Sequence, residues 1–181
     1  YLVSTPSLGT SYYALNNTNS VLKDKRVRRA LALAIDRNYI VENITKGGEK
    51  PATAFVPYGL KDTNGDFREN GIKYFSSSKE DYKNNIEEAK ELLTQAGYPN
   101  GANFPVLEFK TNPGSGVIIA EAVQQMWKEN LNIDMIITQE DWSVFQKNRQ
   151  TKNYVVCRAD WIGDYLDPMT FLQLFTINGA G

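Results

Sequence analysis

The sequence predicts an α/β fold in which a mixed sheet is covered by helices. Short apolar runs typical of buried strands alternate with segments whose apolar residues recur every three or four positions, throughout the second half of the chain. A length of 181 residues suits about one domain with a substantial core. The composition, 41% hydrophobic and 23% charged, is that of an ordinary globular protein.

The first half of the chain is predicted to hold one strand, two helices and a long irregular segment. The strand covers residues 10–17 and ends in a polar turn. Asp24 is suited to cap a helix, because an apolar stripe at helical spacing follows it. A second helix continues through residues 40–44 and stops at the glycine pair 47–48. Residues 50–84 then form a segment so long that we expect it to pack against the domain surface.

The second half is predicted to alternate helices and strands. The predicted helices are 86–96, 117–131, 142–149 and a segment around Phe171, and the predicted strands are 106–110, 133–137 and 154–157. Gly97 suits the position that ends the first of these helices. Tyr98, Trp127 and Trp142 fall where helix packing would place them, so they are predicted to serve core or surface packing.

The residue types present exclude several classes of function. The chain has no histidine, so His-based general bases, Ser-His or Cys-His triads and His-rich metal sites are excluded. Its net charge of −1 indicates no polyanion partner, and no nucleic acid, metal or cofactor is expected. The one cysteine, Cys157, is expected to be a small buried hydrophobe. No apolar run reaches the roughly 18 residues of a membrane span.

The segment 158–168 brings together the residue types most useful for binding a ligand: an arginine, a tryptophan and three aspartates. It follows a β-branched run at 154–156 and precedes an apolar segment that Pro168 is suited to start as a helix. We therefore expect a strand-to-helix loop, which is where α/β proteins place ligand groups. A carboxylate beside Trp161, with Gly163 letting the backbone bend, suits an ammonium ligand. These groups are better suited to binding a ligand than to catalysing a reaction.

Three segments together resemble one family, the extracytoplasmic solute-binding proteins of oligopeptide and dipeptide ABC importers. Residues 26–37 resemble the helix that opens the second lobe, and residues 89–98 are similar to its helix end of leucines followed by Ala-Gly-Tyr. Residues 158–168 resemble the stretch Arg-x-Gly-Trp-x-x-Asp-Tyr-x-x-Pro. The resemblance implies a periplasmic-binding-protein-like lobe spanning residues 1–181, with 1–17 near one hinge crossover and 176–181 near the return crossover.

The resemblance also implies a function and a set of partners. The protein would be the substrate-binding component of an ABC transporter, not an enzyme, holding a peptide between this lobe and a first lobe that this segment lacks. It would deliver the peptide to a membrane permease. We expect an extracytoplasmic location, as a cell-surface lipoprotein or a periplasmic protein, with membrane contact only through an anchor or permease outside this segment. A single lobe is expected to bind peptide weakly.

The matched motif carries candidate ligand-binding residues with it. Asp164 would receive the α-ammonium of the peptide, and Trp161 would wall the pocket for its first residue. Arg158 and Arg149 match arginines that face the cleft and would attract a peptide carboxylate. A turn followed by a helix start is the simpler interpretation of residues 112–116, but this strand-end loop faces the cleft in the family, so Asn112 is a weak further ligand candidate.

Other interpretations of the same residues stay open. Asp164 would also serve as a helix cap or be a solvated loop charge, and Trp161 would serve as core. Either arginine would be the partner of an acid such as Asp160, which departs from the small residue usual in the family. Relatives of this architecture carry nickel chelates, haem, opines or oligosaccharides, so another solute is an alternative. A hydrolase using Asp160, Asp164 and Asp167 is disfavoured, because glycosidase carboxylates face one another across the substrate rather than sharing one short loop.

Overall fold

A computed structural model of the protein describes residues 7–176 as two compact units. The larger unit comprises residues 13–51 and 75–158, and the smaller unit comprises residues 7–12, 52–74 and 159–176. The expected crossovers at 1–17 and 176–181 fall partly on residues 1–6 and 177–181, which lie outside the described residues. The assignment of the whole chain to a single lobe stays a prediction.

Helices and strands alternate along the chain. The strands are β1 (Gly9–Leu15), β2 (Lys61–Asp62), β3 (Gly65–Asp66), β4 (Leu107–Thr111), β5 (Met135–Gln139) and β6 (Val156–Ile162). The α-helices are α1 (Lys25–Leu33), α2 (Arg37–Tyr39), α3 (Phe67–Asn70), α4 (Lys79–Gln95), α5 (Ser115–Leu131), α6 (Trp142–Gln150) and α7 (Met169–Leu172). A π-helical turn covers Ile40–Thr45, and 3₁₀ turns cover Pro99–Gly101 and Gln173–Phe175.

Four strands form one sheet in the order β1-β6-β4-β5. Strand β4 runs parallel to both of its neighbours, with Leu107 opposite Met135 in β5 and Phe109 opposite Val156 in β6. Helices α5 and α6 connect these parallel strands, as parallel pairing requires. Strands β2 and β3 form a separate antiparallel hairpin. The α/β class predicted from the sequence is confirmed.

The core of the larger unit lies between the sheet and helices α1, α4 and α5. Trp127 of α5 is its largest fully buried side chain. The indole Nε1 donates a hydrogen bond of 3.0 Å to the backbone oxygen of Leu31, which lies in the last turn of α1. This bond joins two helices far apart in sequence and satisfies a buried donor that the apolar surroundings would otherwise leave unpaired.

Replacing Trp127 by Phe is expected to lower the free energy of unfolding by about 1–2 kcal/mol, because the Leu31 oxygen loses a buried donor and a small void opens. Equilibrium urea denaturation of the mutant and wild-type proteins measures the change. The exposed Trp142 offers a matched control, since 58% of it is accessible. Trp142→Phe should change stability by less than about 0.5 kcal/mol. Equal losses of stability in the two variants would contradict a stabilising role for the hydrogen bond from Trp127 to Leu31.

Several predicted elements differ from the structure in their bounds. Helix α4 begins at Lys79 rather than at residue 86, because Ser78 caps it and accepts a 3.1 Å hydrogen bond from the Asp81 amide. Its first two turns are largely polar, so apolar spacing does not reveal them. The second predicted helix is π-helical over its last turn and ends at Lys46, whose φ of 51° is left-handed, before the glycine pair is reached.

The segment predicted to be irregular builds much of the smaller unit. It contains the β2–β3 hairpin and α3. Its Val56 and Leu60 are buried with Phe171 of α7 in a small core. The hydroxyl of Thr10 donates a 2.8 Å hydrogen bond to the oxygen of Phe55, which ties the segment to β1. Within the smaller unit the expectation of a packed rather than a free segment is therefore correct, although the segment also contains regular structure.

Candidate functional site

The order in which successive strands are added to the sheet reverses at β4. Strand β4 is followed in the chain by β5 on one side of it and later by β6 on its other side. In α/β sheets, ligands bind at the carboxyl ends of strands beside such a switch point. Two predicted site residues lie there. Asn112 directly follows β4, and Arg158 directly follows Cys157, which is opposite Lys110 near the end of β4.

Arg158 and Asn112 lie within hydrogen-bonding distance of each other. The Arg158 Nη1 donates a hydrogen bond of 3.1 Å to the Asn112 side-chain oxygen. Asn112 in turn donates from Nδ2 to the Pro113 oxygen at 3.0 Å, which turns the amide oxygen toward the arginine. Arg158 is half-buried, so part of the guanidinium is shielded from solvent while part stays accessible. Such a guanidinium suits recognition of a carboxylate.

Arg149 lies on α6 and contacts its own helix. Its Nη1 donates to the Gln146 side-chain oxygen at 3.1 Å, and its guanidinium carbon lies 5.8 Å from the centre of the Phe145 ring. The thiol of Cys157 is buried, as predicted. Burial raises the pKa of that thiol to about 11, and the positive charge of Arg149 offsets part of the rise. Cys157 is therefore a neutral, unreactive packing residue.

A largely buried ion pair beneath α6 escaped the sequence analysis. Lys110 of β4 lies with its Nζ 3.1 Å from a carboxylate oxygen of Glu140, which directly follows β5. Both oxygens of Glu140 also accept hydrogen bonds from Asn148 of α6, at 2.8 and 2.9 Å. The sequence offered little signal, because Lys110 lies in a strand where charged residues alternate with apolar ones. Because both charges are paired and hydrogen-bonded, the cluster ties the last turn of α6 to the end of β5.

Trp161 lies on strand β6 in the smaller unit, not on a loop. The strand continues to Ile162 because polar and apolar residues alternate from Arg158 onward, as a half-buried strand requires. The indole Nε1 donates a 2.7 Å hydrogen bond to the oxygen of Thr170, and the ring packs against the Val56 and Phe171 core. The residue is only partly buried, so core packing leaves part of the indole accessible.

Asp164 is exposed in the loop between β6 and α7. Its backbone amide donates a 2.9 Å hydrogen bond to the hydroxyl of Thr170, which holds the loop against α7. The preceding Gly163 is tightly enclosed, since a Cβ there would lie 2.9 Å from a methyl carbon of Leu8 and 3.1 Å from one of Thr170. A side chain at position 163 would therefore have to displace Leu8 and Thr170.

The three carboxylates of the segment have different partners. Asp160 accepts a 2.6 Å hydrogen bond from the Ser11 hydroxyl, and Asp167 accepts one of 2.8 Å from the Met169 amide at the start of α7. The Met169 amide thus bonds Asp167 and not Asp164, and Pro168 stands at the N-cap position of α7. Within residues 7–176, the Asp164 carboxylate receives no hydrogen bond and forms no ion pair. Of the three exposed carboxylates, it is the one without a hydrogen-bond partner among these residues.

Residues 7–176 lack two kinds of feature. No group of three or more acidic, cysteine or histidine side chains is arranged to hold a metal ion. Among the helices of the same residues, none is long and apolar enough to cross a membrane.

Residues 1–181 match the protein family described as bacterial extracellular solute-binding proteins, family 5 Middle. The chain belongs to this family. The periplasmic murein peptide-binding protein MppA of Escherichia coli is 36% identical over 97% of the chain, and the oligopeptide-binding protein OppA of Bacillus subtilis is 32% identical over 97%. The family 5 resemblance inferred from the three sequence segments is confirmed.

The architecture of a solved family 5 protein agrees with this assignment. Haemophilus influenzae OppA in complex with the peptide RPPGFSPFR superposes with a TM-score of 0.84 at 31% identity over 95% of the chain. The periplasmic-binding-protein-like fold is therefore confirmed. The chain spans about a third of the length of these relatives, 32% of MppA, 31% of B. subtilis OppA and 33% of the H. influenzae chain.

Proposed function

We propose that the full-length protein is the solute-binding component of a peptide ABC importer, and that it captures peptides between two lobes and delivers them to a membrane permease. The protein would act outside the cytoplasm, as a periplasmic protein or a cell-surface lipoprotein, and would perform no catalysis. Relatives of this chain are peptide-binding proteins by name, and one is solved with a peptide bound. Because the chain covers about a third of them, the activity belongs to the longer protein.

The observation that carries the proposal is the carboxylate of Asp164, exposed and without a hydrogen-bond partner among residues 7–176, three residues after a partly accessible Trp161. A peptide differs from a sugar, haem or metal chelate in offering a primary ammonium at one end. A carboxylate with no partner of its own forms a charge-assisted hydrogen bond to that ammonium without first breaking an internal bond. Trp161 adds apolar area and a ring face for the first residue of the peptide. The motif 158–168 therefore fits the amino terminus of a peptide.

The larger unit, taken by itself, carries candidate residues of positive charge. Arg158, held by Asn112, would attract the carboxylate of a short peptide or the main-chain oxygens of a longer one. Arg149 would add a second cation, although its contact with Gln146 also suits a structural role. Of the three carboxylates available to a hydrolase, Asp160 and Asp167 already accept hydrogen bonds from their own chain. This arrangement supports binding rather than acid–base catalysis.

Mass spectrometry of ligands that co-purify with the full-length protein tests the proposal directly. The protein is purified without added ligand, denatured, and the released small molecules are identified. We expect a mixture of peptides with free amino termini. The opposite result would be release of a metal chelate, haem, an opine or an oligosaccharide in stoichiometric amount, with no peptide. It would contradict peptide binding and identify that solute as the ligand.

A further inference from the structure

Gly116 occupies the second position of helix α5 and is buried. Its φ lies outside the left-handed region, so the backbone there does not require a glycine. Glycine is also among the weakest helix formers, and alanine would ordinarily stabilise this position. The absence of a side chain at this position therefore needs a reason other than conformation.

The space beside Gly116 is filled by Arg158. A Cβ at position 116 would lie 2.6 Å from Cδ, 2.9 Å from Nε and 3.4 Å from Cζ of that arginine. The first two separations are shorter than side-chain carbons tolerate. The obstacle is the far part of a flexible side chain and not backbone. An added methyl group would therefore displace Arg158 and leave α5 in place.

The same arginine is also held from the other side. Its Nη1 bonds the Asn112 side-chain oxygen, and Asn112 is oriented by its own bond to Pro113. The side chain thus passes over the first turn of α5 at Gly116 and ends against the loop that follows β4. Gly116 leaves room for the arginine side chain, and Asn112 binds its end. Together they determine the direction of the guanidinium. Such preorganisation reduces the ordering cost when a ligand binds.

We propose that Gly116 is a positioning residue for ligand recognition: its missing side chain lets Arg158 lie across α5 and present its guanidinium to the carboxyl terminus of a short bound peptide. This inference rests on the proposed peptide-binding function. Gly116 itself makes no contact with the peptide in this proposal. It selects for a free carboxylate through the orientation of Arg158.

The experiment compares Gly116→Ala with wild type in the full-length protein. Calorimetry measures the affinity for trialanine and for trialanine amide, which lacks the carboxylate charge. We expect affinity for trialanine to fall about ten-fold, the loss of one charged hydrogen bond, while affinity for the amide changes little. The thermal midpoint should be equal or higher, because alanine favours the helix. Ser115→Ala, an exposed neighbour on the same turn, is the matched control and should change neither affinity.

A double-mutant cycle with Arg158→Ala shows whether the effect passes through the arginine. In the Arg158→Ala background, Gly116→Ala should cost no further affinity for trialanine. A full additional loss there, or an equal loss for both peptides with a lower thermal midpoint, would overturn the inference and indicate a structural role. A wild-type protein that binds neither peptide nor any of its own co-purified peptides would instead overturn the proposed function.

Discussion

Asp164→Asn in the full-length protein is expected to weaken binding of a peptide with a free amino terminus by about 100-fold. A hydrogen bond to a charged group contributes about 1.5–3 kcal/mol, and each 1.4 kcal/mol is a factor of ten in affinity. Asn keeps the size of the side chain but removes the negative charge, and its amide donors would face the donors of the ammonium. Calorimetry with one peptide and its N-acetylated form measures the effect. The acetylated peptide should bind the two proteins with affinities within about three-fold of each other.

Asp167→Asn is the matched control for this prediction. The two aspartates lie three residues apart in the same exposed loop, so the substitution removes an equal charge from the same surface. Asp167 accepts a hydrogen bond from the Met169 amide, and Asn is an equally good helix-capping residue. Peptide affinity should therefore stay near the wild-type value. Equal losses for the free and acetylated peptides, or equal losses in the two variants, would contradict an ammonium-binding role for Asp164.

Gly101→Ala is expected to lower the free energy of unfolding by about 3 kcal/mol or more. Gly101 has a φ of 71°, a left-handed conformation that costs other residues about 1–2 kcal/mol. A Cβ there would also lie 2.3 Å from the oxygen of Leu131 and 2.8 Å from that of Asn132. Both obstacles are backbone atoms at the end of α5, so the chain itself would have to shift, which adds about 1–3 kcal/mol. Urea denaturation monitored by tryptophan fluorescence measures the loss.

Gly97→Ala separates the two contributions. Gly97 also has a left-handed φ, of 95°, but no atom lies within 4 Å of where its Cβ would be. This variant should lose only the conformational part, about 1–2 kcal/mol. If both variants lose the same amount, the close approach of residue 101 to the end of α5 is not what requires a glycine there.

Local signals account for the elements that were predicted well. Asp24 caps α1 and accepts a hydrogen bond from the Arg26 amide, as its place before an apolar stripe indicates. Gly97 takes a left-handed φ just after α4, as helix ends favour. Both features depend on residues within one or two turns of each other. A short stretch of sequence is therefore enough to predict where these two helix ends lie.

The elements that were missed depend on partners elsewhere in the chain. Strand β6 was predicted to end at residue 157, but it extends to Ile162 in the sheet between β1 and β4. Arg158 and Trp161 accordingly lie on a strand instead of a loop. Ile118 lies in the predicted helix 117–131, and 57% of this apolar residue is accessible, because no other described part of the chain covers that side of α5. Spacing alone does not say which side of a helix another element will cover.

For the candidate site too, some features could be predicted from residue order and others depend on the tertiary structure. The order of residue types in 158–168, an arginine, a tryptophan and an aspartate ahead of a proline, was sufficient to indicate a family and an ammonium-binding chemistry. It did not distinguish among the three aspartates. That distinction came from Ser11 and the Met169 amide, which bond Asp160 and Asp167 and leave Asp164 available. Similarly, the approach of Gly116 to Arg158 joins positions 42 residues apart. Motif chemistry is local and can be recognised from residue order, whereas the availability and orientation of each group depend on neighbours that folding brings from distant positions.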